Sequence, residues 1–454
     1  MSVLDRLSES LARLEPSTHR RQGEVHSVRG TLVIAHLPST RVGELCHIER
    51  RDAAPLPAEV VGFVGGQVKL MALGPLTEVE SGAIVVATGA SPQVACGDGV
   101  VGRVLDALGR PFDGGGLIGE TSGGRTPRVS LMAPPPKPME RARITTPLRT
   151  GVRVIDTLLT VGIGQRVGIF AGPGVGKSKL LSKITREVDA DLVVLALIGE
   201  RGREVREFVE SDLCIGASSA NRPDSPPAVV VVSTSDEPAL LRLKAAHTAT
   251  AIAEHARAEG KRVVLMMDSL TRFARALREV GLAADEPPGR GGFPASVFAE
   301  LPRLVERAGN DARGSITAFY TVLRESEYEE DVVASEVKSL LDGHIMLSPK
   351  LADAGHYPAV DLLASRSRLF GDLATTAQKD AARRIRSALA TYTAAEAQIA
   401  CGAYRRDDPR INQAIDLRPR IAEFLRQDER ERSEWDNSQE WLVEVASELN
   451  EFAS

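Results

Sequence analysis

Leu4, Leu7, Leu11 and Leu14 return at helical spacing, with Asp5, Arg6, Glu9 and Arg13 between them. The pattern predicts a short amphipathic helix that ends before Pro16. So short a helix is marginal alone, so its apolar face either docks on its own chain or serves as a handle for a partner helix. Beyond it the period changes. GEVHSVRGTLVIAHL and AEVVGFVGGQVKLMAL are β-branched segments broken by glycine, and Gly65-Gly66 falls where a two-residue hairpin turn belongs. They predict a small antiparallel β-barrel.

Farther on, apolar runs alternate with amphipathic stretches. RVGIF, DLVVLALIG, AVVVVST, RVVLMMD and SITAFYTVL are near-continuous apolar segments, and stretches such as ALLRLKAAHTATAIAEHARAEG lie between them. That is the pattern of a parallel sheet covered on both faces by helices. APPPKPME (Ala133–Glu140) reads as a stiff surface connection. The last part, from GDLATTAQKDAARRIRSALATYTAAEAQ to EWLVEVASELN, is helical. The expected organisation is an N-terminal helix at 1–22, a β-barrel at 23–92, an α/β domain with a mainly parallel sheet at 93–370, and an α-helical domain at 371–454.

Composition narrows the classes. With 454 residues, 43 % hydrophobic and 26 % charged, the chain can bury large cores without disulfides or metals. A net charge of −5 leaves no basic sheath for nucleic acid. Phe63 is the sole aromatic residue of the barrel segment, whereas barrels that bind single strands need stacking platforms. Cys46, Cys96, Cys214 and Cys401 lie far apart and read as reduced thiols of a cytosolic protein. No apolar run approaches the ~18 residues of a membrane span, and the N-terminus has no cleavage-site pattern. The chain is expected in the cytoplasm unless a partner holds it at a membrane.

Candidate chemistry starts at AGPGVGKSKLL, directly after RVGIF. A glycine-rich loop between a strand and a helix brings backbone N–H groups and the helix N-terminus to phosphate oxygens. Gly172, Pro173, Gly174, Val175, Gly176, Lys177, Ser178 and Lys179 are expected to cradle a nucleotide. Lys177 would reach the β- and γ-phosphates, and the Ser178 hydroxyl would hold Mg²⁺. The stretch departs from G-x4-G-K-[ST] only in Ala171, which is small enough for the turn. RVVLMMDSLTRFA delivers Asp268 to a strand end, where a carboxylate orients the waters of Mg²⁺; alone, Asp268 would equally serve as a helix N-cap. LIGERGREV ends a strand at Glu200, placed to polarise a water for in-line attack on a γ-phosphate. Arg201 would neutralise phosphate charge or hold Glu200, unless the group is a surface ion-pair cluster. Tyr357, beside Pro358, offers a face for adenine or a filler for the core. Arg366 and Arg368 stand in a Ser-rich turn, either solvated or as a finger across a subunit boundary.

These stretches together resemble the α/β subunit superfamily of rotary ATPases, and within it the ATPases of type III protein secretion, flagellar and virulence-associated. The likeness runs through GRVLDALGRPFD, RTGVRVIDTLLTVGIGQRVGIFAGPGVGKS, IGERGREVREFVE, RVVLMMDSLTRFARALREVGLA, LLDGHIMLSPKLADAGHYPAVD and GAYRRDDPRINQAI. It implies a RecA-like P-loop ATPase core between the barrel and the helical domain, with ATP and Mg²⁺ as ligands. It also implies catalytic roles for Lys177, Glu200, Arg201 and Arg368, metal roles for Ser178 and Asp268, and adenine stacking by Tyr357. The register of Ser-Arg-Ser-Arg favours Arg368 over Arg366 as the finger. Family members form homohexamers at the cytoplasmic base of an export apparatus, peripheral to the inner membrane. The implied partners are a stator-like protein on the N-terminal helix, a central stalk, an export gate and chaperone–cargo complexes, with no nucleic acid.

EVKSLLDGHIMLSPKL and VDLLASRSRLF look more like the injectisome than the flagellar branch. One stretch departs from the family. After TAFYTVL its members carry a V-E-G-D-D-like turn and a proline, whereas this chain reads RESEYEEDVVASEVKS, with Arg324 at an apolar position. Two other functions fit the same fold: a rotary synthase-type subunit of a hetero-ring, and a Rho-like RNA translocase.

Overall fold

A computed structural model describes residues 21–118, 126–213, 225–324 and 331–449. The expected N-terminal helix and much of the divergent stretch after Arg324 lie outside these residues. The chain divides into two compact units between Pro92 and Gln93.

In the first unit, six strands close a barrel in the order β1-β2-β5-β4-β3-β6, with all neighbours antiparallel. They are β1 (Gln22–Arg29), β2 (Leu32–His36), β3 (Leu45–Ile48), β4 (Leu56–Val64), β5 (Gln67–Ala72) and β6 (Ile84–Ala87). Val33, Cys46, Ile48, Val60, Leu70 and Val85 fill the interior. Gly65 and Gly66 join β4 to β5 with φ of 53° and 80°, the left-handed pair that a tight hairpin turn demands. Phe63 points outward, 52 % exposed.

The second unit is built on a mostly parallel sheet. A small antiparallel pair, β7 (Gln93–Ala95) with β9 (Arg128–Ser130), brackets β8 (Val104–Asp106) in sequence. β8 joins β10 (Arg166–Ala171), β11 (Leu192–Glu200), β12 (Ala228–Thr234), β13 (Arg262–Asp268), β15 (Ser315–Leu323), β16 (Gly343–Leu347) and β17 (Val360–Ser367), while β14 (Gly309–Asn310) pairs with β15 on the side. The order is β17-β16-β10-β15-β13-β11-β12-β8. Only β17 on β16 and β14 on β15 run antiparallel.

The apolar runs are continuous because both faces of the sheet are covered. Helix Ala239–Ala258 lies against β11, β12 and β13. On the other face Val193, Leu195 and Leu197 share a core with Leu181 and Ile184 of helix Lys177–Glu187. Ile385, Ile421, Phe424 and Leu442 of the C-terminal helices Thr376–Ala400, Pro409–Leu425 and Trp435–Ser447 extend that same core. The C-terminal helices therefore pack beside the helix that follows the glycine-rich loop. Among the described residues no helix is long and apolar enough to cross a membrane.

Candidate active site

β10 runs into the glycine-rich loop at Ala171, and helix Lys177–Glu187 begins at its end. Gly174 and Gly176 adopt φ of 75° and 86°, which glycine takes without strain. A Cβ at Gly172 or Gly174 would meet nothing within 4 Å, whereas one at Gly176 would approach the Tyr357 ring to 3.1 Å. Val175 turns its side chain into the core and anchors the loop. Ala171, where the motif has glycine, is fully buried beside Leu323. The loop thus offers bare backbone to a cleft of about 900 Å³.

β13 and β11 are neighbours, with Leu197 opposite Asp268. Their ends bring two carboxylates to the loop lysine. Lys177 Nζ lies 2.5 Å from Asp268 Oδ1 and 3.7 Å from Glu200 Oε1. The Thr321 hydroxyl donates to the same Asp268 oxygen at 2.7 Å. Burial, and then the Asp268 charge, push the Glu200 carboxyl above the usual carboxylate range, while Lys177 and Arg272 pull it down. A carboxylate so desolvated and so close to a cation suits the work of a base.

Holding Glu200 is one of two roles read for Arg201, and the structure gives it to a different residue. Arg201 is the N-cap of the short helix Gly202–Glu207; its side chain is 80 % exposed and pairs with Glu204 at 3.4 Å. Glu200 instead accepts from Arg272 Nε at 3.3 Å and Nη2 at 3.4 Å. Arg272 lies in the first turn of helix Leu270–Ala283, directly after β13, so it reaches across to the end of β11. In the sequence it is the R of DSLTRFA, one helical turn beyond Asp268, with nothing local that points to Glu200.

Arg201 still lines the cleft, as do Ser178, Lys179 and Tyr357. Lys179 faces Glu429 at 3.6 Å. Tyr357, 43 % exposed, precedes a cis peptide to Pro358. The remaining wall is the segment Arg426–Glu429 with Glu431, after helix Pro409–Leu425. No sequence pattern marked that segment as part of a site.

Arg368 lies elsewhere. Its backbone N–H donates to the Asp342 carbonyl at 3.0 Å, and Asp342 accepts from Arg166 at the start of β10. The glycine-rich loop leaves the other end of β10, about 17 Å away at the usual rise per residue of a strand. Arg366 is opposite His344 on the same edge. Both arginines are exposed, and neither lines the cleft of its own chain.

Ser178 and Asp268 supply hard oxygen donors. Among the described residues no group of three or more His, Cys, Asp or Glu could hold a metal ion. A donor set of one hydroxyl and one carboxylate fits an ion that keeps its waters and takes its other ligands from phosphate, as Mg²⁺ does.

Known proteins match this arrangement over nearly the whole chain. The ATP synthase alpha/beta family, nucleotide-binding domain, matches residues 151–367, and the beta-barrel domain of that family matches 25–89. The T3SS EscN ATPase C-terminal domain matches 374–444. The flagellum-specific ATP synthase of Bacillus subtilis is 47 % identical over 413 residues, covering 90 % of this chain and 92 % of that protein. The type 3 secretion system ATPase of Pseudomonas syringae pv. syringae is 45 % identical over 432 residues, 94 % of each. The assembled ATPase EscN of the enteropathogenic E. coli type III secretion system superposes with a TM-score of 0.85 at 43 % identity, covering 93 % of this chain and 100 % of that one. A structure of EscN with its central stalk EscO gives 0.81 at 42 %, with the same coverage. The chain belongs to the type III secretion and flagellum-specific ATPase branch of the ATP synthase alpha/beta family, and it is an ATP-hydrolysing enzyme.

Proposed function

We propose that the chain is the ATP-driven motor of a type III protein secretion system of the injectisome kind, releasing chaperones and unfolding cargo for export. The observation that carries the reading is the convergence of Lys177, Asp268, Glu200 and Arg272 at the mouth of the glycine-rich loop. The loop backbone and Lys177 bind the phosphates, with Lys177 trading its carboxylate partners for the γ-phosphate. Tyr357 stacks on adenine. Glu200, oriented by Arg272, takes the proton of the attacking water, and Arg201 adds positive charge at the rim. Ser178 and Asp268 would hold Mg²⁺, which would supply positive charge to offset that of the phosphates.

The chain works as a homohexamer with clefts at subunit boundaries, where Arg368 of the next subunit completes the site. The position of Arg368 at the end of β10 opposite the glycine-rich loop supports this arrangement. By analogy with EscN and EscO, a central stalk occupies the ring. A stator-like peripheral protein takes the N-terminal helix, and an export gate lies beyond, at the cytoplasmic face of the inner membrane. Injectisome rather than flagellar service follows EVKSLLDGHIMLSPKL and VDLLASRSRLF.

The test is ATP hydrolysis per chain as protein concentration rises, with Glu200→Gln as control. Specific activity climbs and saturates and the control is inactive, if sites need a neighbour of the same kind. Background hydrolysis at every concentration would point instead to a hetero-ring.

A further inference from the structure

Lys183 lies in the second turn of the helix that starts at the phosphate loop, with its side chain 4 % exposed. Its ammonium has oxygen neighbours on Glu187 (Oε1, 2.9 Å) and on the backbone carbonyls of Asp428 (3.3 Å), Glu429 (3.4 Å) and Glu431. An ammonium has only three N–H donors. These oxygens saturate it and leave nothing for a phosphate, although the residue borders the cleft.

The carbonyls belong to the strap Arg426–Glu431, which forms one wall of that cleft. Other cations grip the same strap by its backbone. Arg153 donates to the carbonyls of Phe424 and Arg426, each at 3.0 Å, and Arg186 to that of Glu429 at 3.2 Å. Gln427 ties the strap onward. Its N–H donates to the Tyr357 carbonyl at 2.9 Å, its side-chain oxygen accepts from the Arg153 N–H at 2.9 Å, and its amide donates to the Gly151 carbonyl at 3.0 Å. A line of hydrogen bonds therefore runs from Lys183 through the strap to the backbone of Tyr357, whose ring flanks Gly176.

We infer that Lys183 is a positioning residue for the base-bearing half of the nucleotide: by holding the strap Arg426–Glu431, and through Gln427 the Tyr357 backbone, it sets the wall against which the base docks. The inference rests on the reading of this cleft as the ATP site. A cation is required because several carbonyls converge on one point beside the Glu187 carboxylate. An apolar residue there would take the ammonium from the Glu187 carboxylate and the Asp428 carbonyl, while the Glu429 and Glu431 carbonyls would keep Arg186 and Gln427 as donors. The unpaired polar groups cost free energy, and the Asp428 part of the strap would move to solvate them.

The experiment measures binding of ADP and of inorganic pyrophosphate to the full chain by titration calorimetry. Pyrophosphate keeps the phosphates and lacks the base. Lys183→Met lowers ADP affinity about tenfold or more and leaves pyrophosphate affinity unchanged, and Gln427→Leu reproduces the split from the other end of the strap. Equal loss of both ligands would mean that Lys183 acts through the phosphate-loop helix, and would overturn the inference; so would undiminished ADP binding. The parent chain gives a reading that needs no variant. ADP slows amide hydrogen exchange across Arg426–Glu431 and pyrophosphate does not; slowing by both alike, or by neither, counts against the proposal. A Lys177→Ala chain that still binds pyrophosphate marks a different failure, that of the cleft assignment itself, and the inference falls with it.

Discussion

Glu200 illustrates what one residue owes to its surroundings. Its strand-end position was legible because β11 is an unbroken apolar run that stops at a charge. Its protonation was not, since burial, Asp268, Lys177 and Arg272 reach it from separate parts of the chain. A carboxylate that accepts a proton from water must first be ionised. Its raised pKa in the ligand-free chain therefore places the acid limb of the kcat/KM–pH profile above the range of an ordinary glutamate. Arg272 draws that pKa down, so Arg272→Met moves the limb to still higher pH and lowers kcat. An acid limb that stays in place in this variant would free Arg272 from the role. The place of Lys177, Ser178 and the loop glycines between a strand and a helix was readable in sequence because a glycine-rich strand–helix junction is a local pattern. Arg272 was hidden because its target is on a neighbouring strand.

Among the elements, helix Val332–Leu340 starts by local chemistry: Asp331 caps it, accepting from the N–H groups of Val333 at 2.9 Å and Ala334 at 3.0 Å. Elsewhere elements are joined by buried charge. Arg307, just past helix Ala295–Val305, donates to Glu254 of helix Ala239–Ala258 at 2.9 and 2.6 Å and to the Leu131 carbonyl at 2.9 Å. Its side chain is 3 % exposed and that of Glu254 13 %. Arg307→Met leaves the Glu254 carboxylate buried and unpaired, a loss of about 3–5 kcal/mol. Urea unfolding followed through the second unit should show the midpoint falling accordingly; an unmoved midpoint would mean that water reaches Glu254. Such cross-links have no sequence signature, because the residues they join lie far apart along the chain.

For the whole molecule, the position of Arg368 is decisive. It sits about 17 Å from the phosphate loop, along the length of β10, too far for a side chain to span. If neighbours complete one another's sites, two inactive variants rescue each other. A mixture of equal amounts of Arg368→Ala and Glu200→Gln chains, unfolded together and reassembled, regains activity in about a quarter of its clefts on random mixing around a closed ring, where each alone loses on the order of 10³-fold or more. A mixture as inactive as its parts would remove Arg368 from the site. The sequence by itself determined the layering of the molecule. β-branched segments broken by glycine closed a barrel, apolar runs made a doubly covered parallel sheet, and a glycine-rich stretch marked the loop between β10 and its helix. Each depends on side chains near one another along the chain, where periodicity and backbone chemistry act. The tertiary structure alone decided that Arg272 rather than Arg201 holds Glu200, that Arg426–Glu431 walls the cleft, that buried Lys183 binds that wall, and that Arg368 faces away. Those outcomes follow from which strands become neighbours and from where the C-terminal helices find apolar cover, and both are settled only when distant segments share one core.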